Sequence, residues 1–126
     1  MCIRDSRYIS PATREEVYAI YYDSLRRKIE ERGTRNFPEY RGKKLYGELV
    51  MNMTVDAIGR VIETEIVRAS GSRELDRRAV AIVQAAAPFG AFSPAMRAKA
   101  DQLVITSRFR FTRDDAMQAT MLEAQR

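Results

Sequence analysis

Side chains able to do covalent or metal chemistry are scarce in this sequence. There is no histidine, so a His-based catalytic triad, a histidine general base and a histidine metal site are all excluded. The single cysteine, Cys2, allows no internal disulfide and no cysteine cluster for zinc, and it is compatible with any redox compartment. Carboxylates remain. Paired carboxylates can act as general acid and base, and the pairs here are Glu63 with Glu65, Glu15 with Glu16, Glu30 with Glu31, and Asp114 with Asp115. Glu63 and Glu65 share a strand face two residues apart, but no nucleophile or histidine accompanies them, so a solvated sheet face accounts for them. The other pairs are ordinary charged surface. Neither GxxxxGK[ST] nor GxGxxG is present. Ser70-Gly71-Ser72 would suit an anion at a helix start, although a simple cap needs nothing more.

The charge balance points to a partner rather than a reaction. The chain has 126 residues, with 22 Lys+Arg against 17 Asp+Glu and a formal charge of +5. That length is one domain, and 45% hydrophobic with 31% charged residues is the composition of a folded globular chain. Arg32, Arg35, Arg41, Lys43 and Lys44 cluster with Phe37, Tyr40 and Tyr46 interleaved, a mixture that can hold single-stranded nucleic acid by charge and stacking. No RNP, KH or zinc-finger signature accompanies it. The modest positive excess serves acidic partners or a membrane surface equally well.

No apolar stretch approaches the roughly 18 residues of a membrane span, and no signal peptide opens the chain. Residues 1–6, MCIRDS, fit no pattern that follows them. Residues 1–10 therefore read as a disordered or non-native start, and the chain as a piece of something longer.

These residues must be placed by a small set of elements. Ser10-Pro11 and the Thr13/Glu16 spacing predict a capped helix start. Val17, Tyr18, Tyr21, Tyr22, Leu25 and Ile29 then recur at helical spacing over 11–32, with Gly33 as the stop. Thr34 to Lys44, broken by Pro38 and Gly42, reads as a linker. Alternation of Leu49, Met51, Met53 and Val55 predicts a strand with one buried face. Asp56-Ala57-Ile58-Gly59 turns the chain, and a second strand follows from Arg60 to Ala69. Its two faces are expected to carry Ile62, Thr64 and Ile66 on one side and Val61, Glu63, Glu65 and Val67 on the other. Leu75, Ala79, Ile82, Val83 and Ala86 trace a helix ended by Pro88. Phe89 to Ala100 is an irregular connection whose Phe89 and Phe92 plug the core. A third strand, Leu103 to Phe111, sends Leu103, Ile105, Phe109 and Phe111 one way and Val104, Thr106, Arg108 and Arg110 the other. Residues 113–126 suggest a terminal helix or tail.

The order α-β-β-α-β predicts an α+β fold: a three-stranded antiparallel sheet in the order 2-1-3, with the helices packed on one face. The third strand is then an edge. Its arginines can guard against pairing, or the edge can accept an extended peptide as an added strand.

Asn36 to Phe111 resembles the C-terminal domain of TonB, the energy transducer of Gram-negative bacteria. The resemblance rests on Phe37-Pro38 followed by a basic stretch, Gly47-Glu48-Leu49 opening a strand, and Val55 to Val61 as V-x-x-x-G-x-V. It continues through Ser70-Gly71-Ser72, Leu75-Asp76-Arg77-Arg78-Ala79, Phe92-Ser93-Pro94 and the final strand. The family's usual Tyr is Phe37 here, its aromatic pair is Ala86-Ala87, and its glycine before the last strand is absent.

The resemblance implies a non-enzymatic periplasmic domain without cofactor or metal, the C-terminal part of an inner-membrane-anchored protein. It implies docking onto an outer-membrane transporter, whose short segment adds beside the last strand and touches the segment before the first. Carried over by position, the docking residues are Arg35, Asn36, Phe37 and Pro38, together with Val104, Ile105, Thr106, Ser107, Arg108 and Arg110. A proton-driven inner-membrane motor would act through a preceding N-terminal region, and pairing of two copies through exposed edges stays open. Other readings are a TolA-like envelope domain and a small basic nucleic-acid-binding module. If the third strand is an edge, Thr106→Pro would block strand addition at limited cost in stability.

Overall fold

The computed structural model describes residues 11–125, with side chains described from 17 to 122. Residues 1–10, including Cys2 and the Ser10 cap, lie outside the described residues, as do the side chains of Thr13, Glu15 and Glu16.

The chain runs α1 (Pro11–Arg35), β1 (Glu39–Tyr40), β2 (Lys43–Lys44), β3 (Gly47–Asp56), β4 (Val61–Arg68), α2 (Arg73–Ala86), α3 (Pro94–Arg97), β5 (Gln102–Thr112) and β6 (Ala116–Gln125). The main sheet has the order β4-β3-β5-β6, and every neighbouring pair is antiparallel. The expected 2-1-3 arrangement is present as β4-β3-β5. A fourth strand extends it, and β1 and β2 form a separate two-stranded sheet.

Three expectations are corrected. The first concerns the C-terminal segment, which is a strand and not a helix. Its Ala, Met, Gln and Leu are good helix formers, but Met117, Ala119 and Met121 alternate and face the core beside β5. Pairing with a formed strand outweighs intrinsic propensity. Arg113 to Asp115 make the connection: Asp115 N–H bonds Thr112 O at 2.9 Å, and Asp115 takes a positive φ of 61°. A short loop ending in a left-handed residue is a hairpin connection, here built with Asp where Gly is more usual. As a result β5 is an interior strand and no edge.

The second correction is that Gly33 does not stop α1. The helix continues to Arg35 because Gly33 lies buried against β6, where a Cβ would stand 3.0 Å from the Met117 Cβ. The predicted linker shrinks accordingly, and its remainder folds as the β1–β2 hairpin. Arg41 and Gly42, both at positive φ, form its two-residue turn.

The third correction concerns β4, whose faces are re-phased by bulges. Between Thr54/Glu63 and Val55/Val61 the register skips Ile62, and between Val50/Arg68 and Met51/Ile66 it skips Val67. Val61, Thr64 and Ile66 therefore face the core side, opposite Val55, Met53 and Met51. Ile62 and Val67 are left exposed. Strict alternation fails wherever an extra residue enters the ladder.

The core fills the space between the sheet and the helices on its one covered face. Tyr18, Tyr21, Leu25 and Ile29 of α1 and Leu75, Ala79, Ile82 and Val83 of α2 meet the alternating rows of β3 and β5. The tyrosines serve packing as expected: Tyr21 meets the Phe92 ring edge-on, 5.3 Å between centroids, and donates to Gly90 O at 3.0 Å. Burial, with the nearby Asp56 charge, pushes the Tyr21 hydroxyl pKa up to about 12. Ser72 caps α2 by accepting from Leu75 N–H at 3.2 Å. Within the stretch expected to be irregular, Ser93 caps the short α3, whose Met96 is buried.

Because β5 is paired on both sides, Thr106→Pro removes a donor from the middle of the sheet. It is expected to destabilise the fold by roughly 2–4 kcal/mol, readable as a lowered urea midpoint, where the edge-strand reading anticipated limited loss.

Candidate functional site

The sheet has one bare face. Along β5 that face carries Val104, Thr106, Arg108 and Arg110, while Ile105 and the fully buried Ser107 point into the core. Across from them on β3 stand Thr54, Asn52, Val50 and Glu48. The Thr106 hydroxyl donates to Asn52 Oδ1 at 2.6 Å, and the Arg108 guanidinium pairs with Glu48 at 3.1 Å. Arg110, exposed, has no ion-pair partner among the described residues. Glu63 and Glu65 sit exposed on the same bare face, opposite Thr54 and Asn52, as expected for a solvated sheet surface.

The other predicted segment lies at one end of the sheet. Arg35 closes α1 and pairs with Glu31 at 3.5 Å on exposed surface. Asn36 N–H extends the helical bonding to Arg32 O at 2.9 Å, and the carbonyl of buried Pro38 accepts from Leu45 N–H at 3.0 Å. Phe37 packs between Tyr46 and Phe111, each ring centroid 5.7 Å away. The structure thus brings Arg35–Pro38 to the C-terminal end of β5. It does not bring that segment to Val104, which lies about 23 Å further along the strand.

Beside Phe37 and Pro38 the surface opens into a cavity of about 370 Å³ between the end of α1 and α2. Phe37, Pro38 and Ile82 supply apolar walls, and Arg32, Arg78 and Asn36 supply the polar ones. Arg32 Nη2 donates to Ala85 O at 3.2 Å, placing a cation at the negative end of α2, whose own last turn has no basic residue.

The basic and aromatic residues considered for nucleic acid are divided. Arg32 and Arg35 belong to the helix end, whereas Arg41, Lys43 and Lys44 belong to the hairpin. Phe37 and Tyr46 are half-buried against other groups, and only Tyr40 among the three aromatics is exposed. Stacking platforms need free ring faces.

Sequence reasoning missed the groups that fasten β6. Lys44 Nζ and the Tyr46 hydroxyl both donate to the Asp115 carboxylate at 2.9 Å, and Arg113 lies over the Tyr46 ring at 4.7 Å. These bonds hold the Asp115 pKa below its ordinary value of 3.8 and raise that of Tyr46. From α1, Glu30 Oε2 accepts from Ala119 N–H at 2.8 Å and Thr34 Oγ1 from Met117 N–H at 3.1 Å. The alternation Met117, Ala119, Met121 was the available signal.

Among the described residues no group of three or more His, Cys, Asp or Glu is placed to hold a metal ion, and no helix is long and apolar enough to cross a membrane. Fold and site together define a small α+β domain with two helices on one sheet face and a bare face opposite. The chain belongs to the family of Gram-negative bacterial TonB protein C-terminal domains, whose profile matches residues 36–112. No curated protein and no solved structure matched the chain. The matched stretch contains β1 to β5 with α2 and α3; α1 and β6 flank it.

The Asp115 network predicts a pH effect of defined sign. A carboxylate with a lowered native pKa contributes stability above its unfolded value, and loses it as pH falls through the native one. Asp115→Asn is therefore expected to be less stable than the parent at pH 7, with the two converging under acid. Urea melts across that range would show parallel curves if the network contributed nothing.

Proposed function

We propose that this domain is the periplasmic receptor-binding part of a TonB-type energy transducer, carried at the C-terminal end of an inner-membrane-anchored protein. It docks onto outer-membrane transporters by strand addition. A short extended segment of the transporter pairs along Val104, Ile105, Thr106, Ser107, Arg108 and Arg110 on the side of β5 that β6 covers, taking the place of β6. Arg35, Asn36, Phe37 and Pro38 touch it at the end of the strand. Main-chain hydrogen bonds supply the grip, and alternate side chains supply selectivity. Proton-driven motor proteins, engaged through the region preceding this domain, load that joint and drive nutrient uptake. The domain acts as a non-enzymatic coupling and needs no cofactor.

The observation that carries this reading is the family membership over residues 36–112. It favours the TonB-type role over a TolA-like one. The packing of Phe37 and Tyr46 into their own cluster speaks against a nucleic-acid module.

An NMR titration of the isotope-labelled chain tests it, using peptides from the plug-side N-terminal segments of outer-membrane transporters encoded in the same genome. Amide shifts concentrated at 35–38 and 104–110, and along the β6 strand that pairs with the latter, are expected. A response to single-stranded DNA, with none to any such peptide, would refute the docking role.

A further inference from the structure

We infer that β6 is an internal occupant of the partner's docking edge, held there by α1 and released by exchange with the incoming segment. This rests on the strand-addition reading above.

One side of β5 is committed to β3. The other is covered by β6, which pairs from Thr112↔Ala116 to Val104↔Gln125 and so spans the whole stretch proposed for docking. A partner strand and β6 cannot occupy that edge together.

The strand is also pinned from outside. Glu30 and Thr34 accept the Ala119 and Met117 amides, which point away from β5, and Gly33 leaves the room that Met117 occupies. Both components of this latch, α1 and β6, lie outside the stretch that defines the family. The family core therefore presents the edge, and the flanking elements of this chain close it.

Closure is imperfect, which is what exchange requires. Between Thr106/Glu123 and Ser107/Met121 the register skips Leu122, which is left exposed. Thr120 stands opposite Arg108 and Gln118 opposite Arg110, so the residue directly across from each arginine on β6 is uncharged. A segment with small or flexible apolar residues where Met117, Ala119 and Met121 lie, and a carboxylate opposite Arg110, fits this edge better than β6 does. Opening an edge strand is a local event. The partner's apparent affinity is lowered by the fraction of time the edge stays closed, so the latch sets a threshold that only a well-matched segment passes.

The test uses the full chain in three forms: the parent, the loosened Glu30→Ala/Thr34→Val double variant, and the tightened Gln118→Glu variant, whose new carboxylate faces Arg110. Each is titrated with the transporter-segment peptides while amide hydrogen exchange is followed. Peptide is expected to remove protection from residues 117–121 and leave residues 49–55 protected. The double variant should bind roughly tenfold more tightly, and Gln118→Glu a few-fold more weakly. Protection at 49–55 verifies that each variant is folded, and Gln118→Glu carries the test by itself if the double variant is not. Peptide binding at equal affinity to all forms, with β6 still protected, would overturn the latch and leave the docking role standing. Failure of every form to bind any peptide would overturn the docking role and the latch with it.

Discussion

The pairing of β3 with β5 is the constraint on which the rest of the molecule depends. Ten successive pairs, Gly47↔Phe111 to Asp56↔Gln102, run without a register shift. Because side chains alternate with a period of two, that register places Leu49, Met51, Met53 and Val55 beside Leu103, Ile105, Phe109 and Phe111 on one face. An apolar surface of that width must be covered, and the helices have no other place to bury their stripes. The polar row of each strand is sent to the opposite face by the same register.

The flanking pairs are less regular, and the irregularities share a form. Each skipped residue, Ile62 and Val67 on β4 and Leu122 on β6, is a large apolar side chain left exposed. On β4 two bulges within eight residues shorten the run available for pairing, which protects an open edge against unwanted partners. On β6 protection takes another form, since α1 supplies acceptors for its outward amides. One edge is disrupted and the other is capped.

This asymmetry bears on how a sheet of this kind handles its two edges. An edge left open to a transporter segment is open to every other strand as well. Filling it with the chain's own β6, tied down at Glu30, Thr34 and Asp115, solves that problem while leaving the neutral Gln118 and Thr120 beside two arginines. Within the matched stretch β5 pairs with β3, and the flanking β6 covers its other side.

Local signals were enough to read most elements from the sequence. Period-two and helical spacings gave β3, β5 and α2, because each is amphipathic over its own length and capped or broken by its own residues. Gly59 marked a turn whose φ is indeed positive, at 93°. The resemblance over Asn36 to Phe111 was likewise legible, since motif order survives in one dimension. What the sequence by itself could not determine was decided by contacts between distant residues. Ala116 to Gln125 is helix-compatible alone and becomes a strand because β5 offers a ladder. Gly33 looks like a stop until Met117 fills the space its missing side chain leaves. The bulges in β4 follow from fitting one strand against another, which no spacing along a single strand records. Whether β5 is an edge or an interior strand was therefore decided only by tertiary structure, for it depends on which strand reaches β5 and what holds it there.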